Sequence, residues 1–461
     1  MGIKRQNIQM ELAFMTERRG EAPMAATEGT ELLTSLPETE SPAEGAQLME
    51  EVCRPENLKA ALKAVRRNKG GPGIDGMTVG QLPVHLKQHW LAIRERLLAG
   101  SYKPQPVKRV EIPKPGGGVR KLGIPTVLDR FIQQAVLQVL QPQWDPTFSA
   151  HSFGFRPRRS AHQAVARAQE YIRQGNRIVV DLDLEKFFDR VNHDILMSRV
   201  AKRIRDKRLL KLIRSYLTSG VMENGLVGPT DEGTPQGGPL SPLLSNLMLD
   251  DLDRELEQRG HFFVRFADDS NIYVKSERAG ERVMASVSRF ITTKLKLSIN
   301  REKSAVARPQ ERKFLGFSFT GGQKPRRRVA PQSVKRFKER IREITRWTKG
   351  MDVKRVVGKL AVYLQGWQSY YGFCETPTVL EELSGWIRRR LRSAFWRQWK
   401  RGRKRYEELR KRGVEADLAA QSAGSELSPW RLGRSPAMHI AFSNAYFIKL
   451  GLPTLKVRPT A

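Results

Sequence analysis

The sequence predicts an α+β domain of about 220 residues, followed by a basic region that is all helical. Between Val110 and Phe319, short β-branched strands alternate with helical segments. After Arg326 the strand signals end, and apolar residues recur at helical spacing between Lys and Arg residues. At 461 residues the chain is long enough for two or three hydrophobic cores, so we expect a multidomain protein.

The N-terminal region divides into two parts. Residues 11–51 are acidic and rich in Glu, Ala, Thr and Pro, which is typical of a disordered or loosely attached leader over residues 1–52. From Glu56 onward the apolar spacing is helical, and a loop rich in Gly and Pro follows at 68–76. Residues 53–105 therefore form an N-terminal extension.

The α+β domain has four elements with clear local signals. We expect strands at 177–182 and 262–266, and helices at 192–205 and 243–256. A Gly-rich tip flanked by basic strands predicts a hairpin over 112–125.

One long helix is predicted at 383–409 in the C-terminal region. It carries ten Lys or Arg residues between Arg388 and Arg405. Its interleaved aromatic residues are Trp386, Phe395, Trp396 and Trp399. Basic side chains beside aromatic rings suit RNA, although the rings could instead be buried while the charges face water.

The charge balance predicts a polyanionic partner. Lys and Arg number 82 against 48 acidic residues, so the formal net charge is +34. We favour nucleic acid over an anionic membrane, because no run of 18 apolar residues and no signal-peptide pattern is present. We therefore expect a cytosolic protein without a membrane partner. Its two cysteines, Cys53 and Cys374, are too few for a disulfide framework or a zinc ribbon.

Acidic residues cluster where two predicted strands end. The segment 264–274 reads as strand, Asp268-Asp269 turn and strand, which exposes both carboxylates at a hairpin tip. A second apolar strand ends at Asp181 and Asp183. Converging carboxylates can hold two divalent ions about 3.5–4 Å apart, as phosphoryl transfer to a nucleic-acid 3′ end requires. The other acidic pair, Asp250-Asp251, falls in a helical pattern, where solvated, non-catalytic acids are expected.

This arrangement resembles the palm of reverse transcriptases, and in particular the group II intron-encoded reverse transcriptase/maturases. The family's Asp-x-x-x-x-Phe signature matches 183–188. The resemblance implies that Asp183, Asp268 and Asp269 are catalytic and bind two Mg²⁺ ions, for which Mn²⁺ can substitute, with Leu184 also among the metal-binding residues. Asp181 stays open as a structural alternate. The family usually has Tyr where this chain has Phe266.

The resemblance also assigns a site for deoxynucleoside triphosphates. Phe188 would exclude a 2′-hydroxyl while Phe187 points into the core. Gln236 would line the pocket within a Pro-Gln-Gly motif in which Pro235 sets the turn. The assigned basic residues are Lys114 and Arg120 in the predicted hairpin, as a triphosphate clamp, and Lys303 near the leaving pyrophosphate. A plain surface hairpin and a surface ion pair are the alternatives.

Further motifs resemble the family's RNA-contacting and DNA-contacting parts. Gly71, Pro72 and Gly73 match a lid over template RNA, and 152–160 matches another family block. Phe314, Leu315 and Gly316 match a turn that grips the primer strand. The segments 363–372 and 386–391 resemble the thumb, or maturase domain, which grips structured intron RNA. Its candidate RNA-binding residues are Arg388, Arg389, Arg390 and Arg392.

The implied fold is a right-hand polymerase. Fingers and an antiparallel palm would occupy 106–325, a helical thumb 326–410, and a short DNA-binding-like region 411–461. The implied function is an RNA-directed DNA polymerase that copies an RNA template from a DNA primer at its target and assists splicing of its intron. With no cysteine- and histidine-bearing endonuclease cluster near its end, the chain resembles the group IIC branch. A maturase with a vestigial polymerase site and a defence or diversity-generating reverse transcriptase are the alternatives, and the oligomeric state is left open.

Overall fold

The computed structural model describes residues 47–113, 118–223, 226–229, 232–234, 237–346 and 353–457. Lys114, Pro235 and Gln236 lie outside these ranges, as does the side chain of Arg120. The described chain divides into two compact units. The first comprises 47–164, 180–272 and 278–306, and the second comprises 165–179, 273–277 and 307–457. Within the described ranges, no helix is both long and apolar enough to cross a membrane.

Helices make up most of the first unit. In chain order they are α1 (Leu48–Val52), α2 (Pro55–Asn68), α3 (Leu82–Leu98), α4 (Val127–Trp144), α6 (Phe187–Arg190), α7 (His193–Ala201), α8 (Lys207–Leu217), α9 (Ser241–Gln258) and α10 (Glu277–Phe290); α5 (Ala161–Arg173) lies mainly in the second unit. Side-chain caps start several of them. Thr126 accepts from the backbone N–H of Asp129 at α4, and Asn192 accepts from that of Ile195 at α7.

Residues 48–52, which the sequence analysis places in the leader, form helix α1 in the structure. Leu48, Met49 and Val52 of α1 are buried. The carboxylate of Asp206, which caps α8, also accepts from the backbone N–H of Met49 at 3.0 Å. Arg208 forms ion pairs with both Asp206 and Glu50, which ties α1 to α8. Residues 48–52 therefore belong to the first unit, because Asp206, far along the chain, accepts the hydrogen bond from the backbone of Met49.

Two four-stranded sheets position the site. The first has the order β2–β1–β4–β5, built from β1 (Val107–Pro113), β2 (Val119–Ile124), β4 (Val221–Glu223) and β5 (Leu226–Gly228). β1 and β2 form the predicted hairpin, in which Glu111 pairs with Lys121. The second has the order β6–β7–β3–β8, built from β3 (Ile178–Leu182), β6 (Phe262–Phe266), β7 (Asp269–Val274) and β8 (Ala305–Ala307). The predicted strands and turn at 264–274 are confirmed.

The second unit is helical apart from one small sheet. Strands β9 (Phe317–Phe319) and β10 (Arg327–Val329) pair antiparallel. The helices are α11 (Pro331–Ile344), α12 (Val353–Tyr371), α13 (Pro377–Gln398), α14 (Gly402–Lys411), α15 (Ala416–Ala423), α16 (Pro429–Leu432), α17 (Pro436–Ala441) and α18 (Asn444–Lys449). The single helix predicted at 383–409 is wrong, since α13 ends at Gln398 and α14 begins at Gly402.

Aromatic packing at this break explains the difference. Trp399 takes a non-helical backbone conformation after α13, and its ring stacks on Phe442 at 5.7 Å between centroids. Phe395 stacks on the same ring at 4.2 Å. Phe395, Trp396 and Trp399 are all buried, so these rings pack the core of the C-terminal helices and do not face RNA.

Candidate active site

The predicted aspartates line one cleft of the first unit, with a volume of about 840 Å³. Asp183, Asp268 and Asp269 share it with Phe188 and Lys303. The hairpin β1–β2 supplies further lining residues, among them Arg109 and Lys121. Residues widely separated in the sequence therefore meet in one place.

The end of β3 is held by a segment more than a hundred residues away. The backbone N–H of Asp183 donates to Ser304 Oγ at 3.0 Å, and its carbonyl accepts from Asn300 at 2.9 Å. Leu184 forms an antiparallel bridge with Ile299. Because the Leu184 side chain is apolar and buried, only its backbone could serve a metal ion.

Asp181 lies on β3 and is engaged within the sheet. The side-chain amide of Asn271, on β7, lies beside Asp181. When the nitrogen of this amide faces Asp181, it donates to Asp181 Oδ1 at 3.0 Å. Asn271 is itself buried. Among the described residues that line the cleft, Asp183 is present and Asp181 is not. This favours Asp183 over Asp181 as the candidate metal ligand on β3.

A tight turn between β6 and β7 presents Asp268 and Asp269. Ala267, just before them, has φ +58°, a left-handed conformation that costs a non-glycine residue about 1 kcal/mol or more. The carbonyl of Ala267 accepts from Arg265 Nη1 at 2.9 Å. An arginine on the strand therefore holds the backbone next to the candidate metal-binding pair.

Arg265 belongs to a buried polar network that the sequence analysis did not find. It is 1% exposed and forms two hydrogen bonds, of 2.7 and 2.6 Å, with Asp253 of α9. It also donates to Asn246 Oδ1 at 3.1 Å. Asn246 in turn donates to the carbonyl of Gly154 at 2.9 Å. No sequence signal sets Asn246 and Asp253 apart from the other polar residues of α9, such as Asp250 and Asp251.

Gly154 explains why the block at 152–160 matters here. A Cβ placed on Gly154 would lie 2.1 Å from the backbone nitrogen of Ala267, so no side chain fits. The neighbouring Phe153 donates its backbone N–H to the carbonyl of Arg265 at 2.9 Å. The block packs against the catalytic turn.

The second acidic pair is structural in its contacts. Asp250 bonds to Arg203 at 3.1 Å and to Arg254 at 2.9 Å, and Asp251 pairs with Arg199 at 2.5 Å. The expectation that both acids are solvated is wrong for Asp250, which is buried. Its burial is compensated by the two arginines.

The cleft fits divalent ions of the magnesium type. In the part of the chain that the structure describes, no group of three His, Cys, Asp or Glu side chains is close enough to hold a metal by itself. Mg²⁺ commonly takes only one or two carboxylates and completes its shell with water and substrate phosphates. Lys303 Nζ lies 3.8 Å from Asp183 Oδ2, so a positive charge already faces that carboxylate. The carboxylate oxygens of Asp183, Asp268 and Asp269 are the hard ligands that Mg²⁺ prefers.

Phe188, the residue predicted to face the sugar, is fixed through its backbone. Its carbonyl accepts from the N–H of Thr234 at 2.6 Å, and a Cβ on Gly233 would lie 2.8 Å from the same oxygen. His193 Nε2 bonds the carbonyl of Gly233 at 2.6 Å. Phe187 is buried, as predicted, and meets the half-buried Phe188 edge to face. The start of the Pro-Gln-Gly loop therefore braces Phe188.

Two basic residues of the hairpin were missed by the sequence analysis. Arg109 and Lys121 line the cleft, where Arg109 Nε lies 3.6 Å from Glu223 and Lys121 Nζ lies 3.9 Å from Glu111. Each follows another basic residue, Lys108 or Arg120, so the sequence does not show which cation of each pair faces the cleft. Lys114 and Arg120 stay predictions.

Close contacts and hydrogen bonds fix the backbones of the candidate lid loop and of the candidate primer-grip turn. A Cβ on Gly73 would lie 2.6 Å from Thr126 Cα, while the exposed carbonyl of Gly71 accepts from Arg130 at 2.5 Å. Pro72 between them is exposed.

In the candidate primer-grip turn of the second unit, Tyr370 Oη donates to the carbonyl of Leu315 at 2.7 Å. Gly316 has φ +84° and leaves no room for a Cβ beside Tyr371, and Phe314 is buried.

The four candidate arginines of α13 have different environments. Arg392 is 3% exposed and donates to the carbonyl of Phe442 at 2.9 Å, so its assignment to an RNA-binding surface is corrected to an interior packing role. Burial lowers the pKa of Arg392 to about 10, with a smaller contribution from Arg388. Arg389 stacks on Trp430 and donates to its carbonyl at 3.0 Å. Arg388 and Arg390 are half-buried.

Comparisons with known proteins agree with this geometry. Residues 112–319 match the family model described as reverse transcriptase (RNA-dependent DNA polymerase). Residues 334–413 match the model described as group II intron, maturase-specific domain.

Two curated relatives illustrate the similarity. Protein YkfC of Escherichia coli is 33% identical over 322 residues, which cover 61% of this chain and 84% of that protein. The group II intron-encoded protein LtrA of Lactococcus lactis is 37% identical over 205 residues, which cover 44% of this chain and 33% of LtrA. The chain thus spans about a third of LtrA, and the group IIC branch stays a prediction. The chain belongs to the reverse transcriptase family and carries the maturase-specific domain of group II intron proteins.

Proposed function

We propose that the protein is an RNA-directed DNA polymerase encoded by a group II intron, which copies RNA from a DNA primer in the cytosol. The observation that carries this proposal is the shared cleft of Asp183, Asp268 and Asp269, with Phe188 and Lys303 beside them. Two divalent ions bound there would neutralise charge on the attacking and leaving oxygens of nucleotidyl transfer.

The chain's own residues supply positioning and selectivity. Phe188 faces the position of the sugar, where its ring would exclude a 2′-hydroxyl. Lys303 is 63% exposed and lies near Asp183, so it can move toward the charge of a departing pyrophosphate. Arg109 and Lys121 add positive charge along the wall of the cleft formed by the hairpin.

The test is extension of a DNA primer annealed to RNA. Asp268→Asn and Asp269→Asn should each abolish magnesium-dependent extension while RNA affinity stays within a few-fold, because each removes a ligand and not binding surface. The control is Asp194→Asn, which removes a carboxylate that is 82% exposed and paired with Arg214 outside the cleft. Extension retained by both cleft variants would refute the proposal.

We further propose that the second unit promotes splicing of the intron RNA. The match of residues 334–413 to the maturase-specific domain and the basic surface of α11 to α14 support this role. A cationic face can offset the repulsion between RNA helices without touching the scissile phosphate.

Intron excision at a magnesium concentration too low for the RNA alone separates the two roles. The Asp268→Asn/Asp269→Asn double variant should still promote excision. Neutralising Arg388 and Arg390 should impair it, whereas Arg214→Gln should have little effect, because Arg214 lies on α8 of the first unit, outside the basic surface of α11 to α14, and pairs there with Asp194. Loss of excision with the palm variant would contradict this division of roles.

A further inference from the structure

Three cations surround one tryptophan ring in the second unit. Lys338 Nζ lies 5.9 Å from the ring centroid of Trp386, Arg342 Cζ lies 5.8 Å away and Arg390 Cζ 5.9 Å away. The first two cations belong to α11, and the ring and Arg390 belong to α13. We call these four residues the Trp386 cluster.

The three cations lie over this ring at long range. Their distances lie at the outer limit of about 6 Å for a cation–π contact. In contrast, Arg389 Cζ lies 4.1 Å from the ring centroid of Trp430, which belongs to α16. Trp430 is therefore already stacked by a guanidinium, whereas the half-buried Trp386 has only distant cations around it.

Within the described ranges, no ion pair neutralises the three cations of the cluster. Glu343, the acid at the end of α11, pairs with Arg340 at 2.6 Å, and the ion pairs of the described residues include none to Lys338, Arg342 or Arg390. Burial lowers the pKa of Arg390, and repulsion from Arg342 and Arg397 lowers it further. Like charges held this close favour an anion between them.

Arg390 is held in place before any ligand arrives. Its Nε donates to Thr345 Oγ1 at 2.5 Å, and its Nη2 approaches the carbonyl of Arg342 at 3.5 Å. Thr345 is buried and donates in turn to the carbonyl of Ile341 at 2.6 Å. A fixed guanidinium loses less conformational entropy on binding a phosphate.

We propose that the Trp386 cluster docks one unpaired base of an RNA strand. The indole ring stacks on the base, and Lys338, Arg342 and Arg390 neutralise the phosphates on either side. A duplex hides the faces of its bases, so the partner is a loop, bulge or single-stranded end. This inference rests on the proposed splicing role and names the RNA feature that the second unit recognises.

Photocrosslinking tests the contact directly. The full chain is first loaded with a primer–template duplex and then exposed to a short single-stranded RNA with one 5-iodouridine, which crosslinks to a stacked aromatic ring. Peptide mapping should place the crosslink on Trp386, with at least about fivefold less product when the iodouridine is base-paired in a duplex. A crosslink that avoids Trp386, or equal yields from the two RNAs, would overturn the proposal.

Substitution provides the matched comparison. Trp386→Leu keeps an apolar side chain but loses the stacking face, so single-strand affinity should fall about fivefold or more, while Trp386→Phe should retain most of it. Equal losses in both variants would indicate a packing role and refute the stacking. If Trp386→Leu does not fold, the crosslink on the unsubstituted protein decides. Excision of the intron by the unsubstituted protein tests the splicing role separately. If excision occurs but no crosslink forms at Trp386, the splicing role stands and only the stacking on Trp386 is refuted.

Discussion

Asp253→Asn removes one charge from the buried pair beneath the catalytic turn. Asp253 is 0% exposed and Arg265 is 1% exposed, so the variant leaves a buried guanidinium without its anion. The other partners of Arg265, Asn246 and the carbonyl of Ala267, are uncharged and do not replace that anion. We expect Arg265 to shift toward water, because a buried charge without a partner is more costly than a moved side chain.

The magnitude follows from the burial. Breaking a buried ion pair by removing one partner costs about 3–5 kcal/mol. At about 2–4 °C per kcal/mol for a domain of this size, the melting temperature should fall by about 6–20 °C. The left-handed conformation of Ala267 should also relax once Arg265 no longer holds its carbonyl, which moves Asp268 and Asp269.

Two measurements check this prediction. Thermal unfolding gives the loss of stability, and primer extension below the melting transition gives the magnesium concentration for half-maximal rate, which should rise. Asp251→Asn on the same helix is the control, because its pair with Arg199 is partly exposed and should contribute about 0–1 kcal/mol. Equal melting temperatures for the two variants would refute the energetic argument. An unchanged magnesium requirement in a destabilised Asp253 variant would refute the positioning argument.

Three further outcomes are expected. Phe188→Ala should incorporate ribonucleotides, because it removes the ring that we propose excludes the 2′-hydroxyl; an unchanged preference for deoxynucleotides in a folded variant would contradict this. RNA affinity should fall with salt at a log–log slope of about −0.7 to −0.9 per neutralised phosphate, with several phosphates involved, and a nearly flat plot would contradict the polyanion argument. Burial raises the pKa of Cys53 to about 11. Its thiolate fraction at pH 8 is then roughly 200-fold below that of a free thiol, so iodoacetamide should label it slowly until the chain is unfolded, and rapid native labelling would show the thiol to be accessible.

The parts of the fold with local signals could be predicted from the sequence. The apolar strand before Asp183 and the strand–turn–strand pattern around Asp268 depend on neighbours within a few residues, and both are confirmed. The hairpin at 112–125 is of the same kind, because glycines at its tip and alternation along its strands mark it directly.

Features that depend on distant residues could not be predicted in this way. Arg392 looks like its basic neighbours in the sequence, and only the packing of Phe442 and His439 against it shows that it is buried. The helical pattern runs through Trp399, yet stacking on Phe442 ends the helix there. Arg265 reads as one more surface cation until Asp253 and Asn246 meet it in the folded first unit.

The order of strands in the second sheet has a consequence for synthesis of the protein. β3 lies between β7 and β8, which leave the ribosome roughly a hundred residues later. At about 5–20 residues per second, β3 waits several seconds or longer for either neighbour. During that interval the nascent chain already displays the basic residues of its N-terminal helices, whereas Asp183 has not yet met Asp268 and Asp269. A product truncated within that interval lacks Asp268 and Asp269 together with both neighbours of β3, so it cannot assemble the cleft.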